Sequence, residues 1–143
     1  MGKINIARVV LGGLLAGLVM NIGEYILNTY VVTLEDQAKM LAKLNLPPIG
    51  TPQIVRFIVL TFILGIVLVW VYAGFRPRFG AGAKTAVIAG VTLWVVTMLL
   101  NAQLIVIGMT TIGENVVPAI WSLVEISVAA VAGAWLYREN ATS

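Results

Sequence analysis

Val116-Val117-Pro118-Ala119-Ile120-Trp121-Ser122-Leu123-Val124-Glu125-Ile126-Ser127-Val128-Ala129-Ala130-Val131-Ala132-Gly133-Ala134-Trp135-Leu136 contains a single charged residue, Glu125. A helix needs roughly 20 predominantly apolar residues to cross the hydrocarbon of a bilayer. This stretch has that length, and three others share its character: about Ile6–Tyr30, Ile54–Tyr72 and Val87–Ile107. The reading is all-α: a four-transmembrane-helix bundle forming a single domain over residues 1–143.

Composition agrees. Of 143 residues, 60% are hydrophobic and 10% charged, where a soluble domain carries roughly a quarter charged residues. Too little polar surface remains to cover a globule in water, so an integral membrane protein is expected. The chain has no cysteine and no histidine. That removes disulfides, thiolate nucleophiles, the commonest general base and the commonest nitrogen ligand for metals. No cofactor, no metal and no enzymatic activity are expected. The net charge of +3 comes from residues at span ends, so it speaks to orientation and not to nucleic acid.

The opening Met1–Arg8 followed by apolar residues imitates a signal peptide. No small-x-small cleavage pattern follows, and it reads as a retained first span. Between the second and third spans, Arg76-Pro77-Arg78-Phe79-Gly80 reads as a short basic turn. Between the last two, Gly108–Asn115 reads as a tight turn, with Asn115 as helix cap and Pro118 in the first turn. The first connection is longer. Leu34, Ala38, Leu41 and Ala42 recur at helical spacing opposite Glu35, Asp36, Lys39 and Lys43. That pattern predicts a short amphipathic helix lying on the membrane surface, a loop helix packed over the bundle mouth rather than a gating or partner-binding helix. Pro47, Pro48 and Pro52 end it and redirect the chain.

Lys3, Arg8, Arg76, Arg78, Lys84 and Arg138 fall on one side, and Lys39, Lys43 and Arg56 on the other. The basic side is expected to be cytoplasmic, which puts both termini inside and the amphipathic helix in the first external loop. Trp70, Tyr72, Trp135 and Tyr137 read as an aromatic belt at the cytoplasmic interface. The shared Trp-x-Tyr ending of the second and fourth spans suggests two related hairpins. The alternative is that inward-running helices commonly end in aromatics and then a base.

Polar residues inside the spans mark where chemistry would lie. Gly13, Gly17, Asn21, Glu24 and Asn28 share one face of the first helix, and Ser122, Glu125, Ala129 and Gly133 one face of the fourth. Asn101 lies on the third helix with Thr97. At 1.5 Å per residue, Glu125 falls near the midplane and the others in the outer half. If these faces meet, Asn21, Glu24, Asn101, Ser122 and Glu125 line a polar pocket that opens to the periplasm. Asn and Ser in membrane helices also serve simply to hydrogen-bond a neighbouring helix, and Glu24 also fits an interfacial position. Desolvation disfavours a charged carboxylate, so Glu125 is expected to be neutral and to donate to Asn101, Ser122 or a carbonyl.

Gly17-Leu18-Val19-Met20-Asn21-Ile22-Gly23-Glu24, Trp121-Ser122-Leu123-Val124-Glu125, Gly133-Ala134-Trp135-Leu136-Tyr137-Arg138-Glu139 and the Arg76–Gly80 segment resemble small uncharacterised bacterial four-helix integral membrane proteins. The resemblance implies the fold and a bacterial cytoplasmic (inner) membrane location, and no activity. The residues around Glu24 do not match the small multidrug exporters, which also carry a Glu in the first helix.

Three functions compete. One is a small ligand- or cation-binding or transport protein with proton coupling, working as a homo-oligomer in contact with membrane lipids. Another is a non-catalytic accessory or assembly subunit bound to other membrane subunits. The third is a lipid- or quinone-directed enzyme relying on carboxylates. In the first two, the glycine stripes would provide the assembly faces.

Overall fold

The structure, a computed structural model, describes residues 3–139. Hydrocarbon offers backbone groups no water, so a chain this apolar must satisfy them within helices. It does so in α1 (Ile6–Ile26), α2 (Leu34–Lys43), α3 (Thr51–Phe79), α4 (Ala83–Val106) and α5 (Ile112–Leu136), with no strand among the described residues. Helices α1, α3, α4 and α5 are long and apolar enough to cross a membrane, as in a membrane-integral protein.

The number and order of spans follow the expectation, but several ends differ. Beyond Ile26 the first span widens into a π-helical turn, Leu27–Val31. Helix α3 starts at Thr51, not Ile54, with Pro52 in a first turn that needs no N–H from it. Its far end runs straight through Arg76-Pro77-Arg78, the segment expected to turn. Pro77 removes only one hydrogen bond from a terminal turn. Gly80, at φ 83°, ends the helix and makes the turn. At α5 the cap is Thr111, not Asn115. Thr111 Oγ1 accepts the Glu114 N–H at 3.3 Å, and Glu114 Oε2 accepts the Thr111 N–H at 2.7 Å. Pro118 therefore lies in the helix interior, not in its first turn.

Helix α1 packs between α3 and α5, and α4 completes the ring between α5 and α3. Glycines set these spacings. Gly65 of α3 sits directly on the Gly13 and Gly17 backbone, Gly13 lies against Ile66, and Gly17 lies under Phe62. On the other flank of α1, Gly12 and Gly133 of α5 meet backbone to backbone. Ala16, Leu68, Val69, Ala86, Ala89 and Ala129 fill the centre without solvent exposure. The glycine stripes are thus taken up by the chain's own bundle and not held in reserve as assembly faces.

The expected aromatic belt splits. Trp70 and Trp135 face outward, while Tyr72 and Tyr137 are buried at 3% and 5% exposure. The two tyrosine rings meet edge to face, 5.9 Å apart. Tyr72 Oη accepts the Gly82 N–H that precedes α4, and Tyr137 Oη accepts the Asn5 N–H that precedes α1. Each tyrosine thus receives an N–H from the start of a helix in the other hairpin. A two-fold repeat of helical hairpins would produce this relation. Both described chain ends lie at this end of the bundle.

Helix α2 lies at the opposite end. Thr33 and Asp36 form its capping box, with Thr33 Oγ1 donating to Asp36 Oδ2 at 2.7 Å. The Thr33 hydroxyl and N–H hold the Asp36 carboxyl below its ordinary range. None of α2 is buried, and Leu34 is almost fully exposed. The helix is tethered by the Lys43–Glu114 ion pair (3.5 Å) and by Gln37, not packed into the mouth.

Gly65→Ala tests this packing. The added methyl would meet the Gly13 and Gly17 backbone, which cannot rotate away. Thermal unfolding in detergent should show a loss on the order of 1–3 kcal/mol. Gly74→Ala, at a site with open space, should be neutral or gain about 0.5–1 kcal/mol. Equal effects at both positions would contradict the assignment.

Candidate acid pair at the α1–α5 seam

The contact between α1 and α5 begins at Gly12 and Gly133 and runs antiparallel. Following it away from the chain ends brings Gly23 opposite Glu125. Because Gly23 has no side chain, the Glu125 carboxyl can lie against the α1 backbone, where a β-carbon on residue 23 would collide with Oε1. Glu125 is 8% exposed, and its Oε1 is buried without a hydrogen-bond partner. Glu24 is the next residue along α1 after Gly23.

Glu24 is the exposed member of the pair. Asn28 Nδ2 donates to Glu24 Oε2 at 3.0 Å and to the Glu24 carbonyl at 2.8 Å. Asn28 belongs to the π-helical turn, a local widening frequent at functional sites. Gln37 Nε2 in turn donates to the Asn28 carbonyl at 3.2 Å and to its Oδ1 at 3.4 Å. A polar chain therefore runs from α2 through Gln37 and Asn28 to Glu24, the residue after the glycine that abuts the Glu125 carboxyl.

The other expected site residues do not join it. Asn21 Nδ2 donates to Gly17 O at 2.9 Å and Ile58 O at 3.4 Å, which fastens α1 to α3. Asn101 Nδ2 donates to Asn115 Oδ1 at 2.7 Å, and Asn115 Nδ2 donates to Thr110 Oγ1 at 2.8 Å. That network closes the α4–α5 connection. Along α5, Asn115 is about 15 Å from Glu125 at 1.5 Å per residue. Ser122 Oγ donates to its own helix at Ala119 O, 3.1 Å away. The hydrogen bonds expected from Glu125 to Asn101 or Ser122 are not made. Two surface hollows are apolar and lie elsewhere; the larger is an outward groove of ≈ 400 Å³ along Val87, Val91 and Val95 of α4.

Sequence reasoning missed Gly23 and Gln37 as parts of the site. Gly23 was legible as the end of a second small-residue row, Gly12, Ala16, Gly23, flanking the Gly13–Gly17 row. Gln37 carried no signal, because its role depends on how the first connection folds back.

Two carboxyl groups near one another at the edge of a low-dielectric seam would resist double ionisation. One proton or one small cation between them relieves both the desolvation and the repulsion. No protein-family profile, curated protein or solved structure matches this chain.

The separation of the two polar networks is testable. Asn101→Ala should cost about 1 kcal/mol of stability and leave the infrared carboxyl band of Glu125 unmoved. Gly23→Ala should displace that band. A shift of the Glu125 band in Asn101→Ala would place both residues in one site and contradict the geometry.

Proposed function

We propose that this chain is a small membrane-embedded binding protein whose site is the Glu24–Glu125 pair, exchanging a proton for a small monovalent cation. The supporting observation is the buried, unpartnered Oε1 of Glu125 lying against Gly23, whose neighbour in the chain, Glu24, is exposed. Glu24 forms the entrance, and Asn28 and Gln37 hold it. The role is non-enzymatic. In this reading the protein resides in a bacterial cytoplasmic membrane with both termini inside, as the basic residues around Arg76 suggest. The narrow α1–α5 seam leaves no room for a pathway within one chain, so transport would require a homo-oligomer.

The accessory-subunit reading has one observation in its favour. The outward apolar groove on α4 lies away from the acid pair and fits a partner helix as well as it fits lipid.

The test is infrared difference spectroscopy of the purified protein at constant pH, with sodium exchanged for choline. Sodium should bleach a protonated carboxyl band that Glu125→Gln lacks, while the variant keeps its thermal stability within about 1 kcal/mol because the amide preserves size. Glu125→Ala should be less stable than Glu125→Gln. A Glu125 band indifferent to sodium, potassium and tetraphenylphosphonium would make Glu125 a static structural acid and favour the accessory reading.

A further inference from the structure

The opposite end of the bundle holds a half-buried charge that the acid pair does not involve. Arg76 closes α3 with its side chain 18% exposed. Its guanidinium carbon lies 5.2 Å from the Tyr137 ring centre and 6.0 Å from that of Tyr72. Arginine carries five N–H donors and no acceptor. Here Nε and Nη1 are buried with no hydrogen bond. Glu139 Oε1 is 3.3 Å from Nη1, within ion-pair distance but not aligned to accept a hydrogen bond.

The surrounding charge is one-sided. Lys3, Arg8, Arg76, Arg78, Lys84 and Arg138 belong to the segments at this end, and Glu139 is the sole acidic side chain there among the described residues. The two tyrosine hydroxyls already accept N–H groups from Asn5 and Gly82, which leaves their own protons to donate. Glu139 lies just beyond α5, on extended chain and partly exposed, so it can leave without disturbing a helix.

We propose that Arg76, Tyr72 and Tyr137 form a phosphate-binding site at the terminal end of the bundle, with Glu139 as an internal carboxylate that an incoming phosphate displaces. A planar guanidinium can bond two phosphate oxygens at once, which a single misaligned carboxylate oxygen does not match. The phosphate is either that of an anionic lipid headgroup or a free inorganic anion; both offer the same oxygens.

Native mass spectrometry of protein released from phosphatidylcholine nanodiscs containing phosphatidylglycerol tests the lipid source. Thermal stability in phosphatidylcholine alone, with and without inorganic phosphate, tests the free anion. Glu139→Gln removes the competitor and should raise phosphatidylglycerol retention, or stabilisation by phosphate, by about fivefold. Arg76→Gln should lower it by about the same factor, the order expected for one basic residue at an anionic surface. A response to lipid only identifies the headgroup, and a response to phosphate without lipid identifies the free anion. If neither probe responds to Glu139→Gln, the proposal is overturned, and Arg76 and Glu139 are only a closing ion pair. The Glu139→Gln result is decisive even where Arg76→Gln fails to fold, because Glu139 contributes no buried contact to the core.

Discussion

Close backbone approach along α1 is the constraint on which the rest of this bundle depends. Lipid is as apolar as leucine, so no hydrophobic force draws helices together within a membrane. Dispersion between closely spaced backbones has to do it, and each contact is individually weak. Helix α1 meets this requirement on two flanks: Gly13 and Gly17 admit Gly65, while Gly12 admits Gly133. Both rows lie on one helix, so α3 and α5 are positioned by the same element. Their own contact across the centre, through residues such as Val69, follows from that.

The acid pair results from the same geometry. Only a glycine at position 23 leaves space for the Glu125 carboxyl against α1, and Glu24 is then its neighbour by chain connectivity. The seam that excludes lipid from Glu125 also withholds hydrogen-bond partners from its Oε1. Burial without a partner is costly for a polar group, and such groups are few in native proteins. The polar line through Asn28 and Gln37 joins the Glu24 carboxyl to α2, the least buried helix of the described chain.

Much of the fold was legible in the sequence because hydrocarbon imposes length and composition directly. The four spans were readable, as was the amphipathic α2. Helix ends were less so. Pro77 looked like a breaker, yet at the last turn of α3 it has little to break, and Gly80 turns the chain instead. Asn115 looked like a cap, yet Thr111 had Glu114 at the spacing a capping box requires. The site was half legible. Glu24 and Glu125 stood out by charge alone, but sharing a helix face did not bring Asn21, Asn101 and Ser122 to them. Asn21 and Ser122 found acceptors on nearby backbone, and Asn101 found Asn115. Tyr72 and Tyr137 carried no sign that they point inward, since that depends on which side of each helix the glycines occupy.

Glu24 and Glu125 are proposed to act as one site because Gly23 lets the helices close. A double-mutant cycle of Glu24→Gln and Glu125→Gln, read as sodium affinity from the infrared carboxyl signal and from calorimetry, tests this coupling. If the residues form one site, either single variant should lose nearly as much affinity as the double, with an interaction energy of about 0.5–3 kcal/mol. Strictly additive losses, or a Glu24→Gln protein that binds sodium as the parent does, would contradict it.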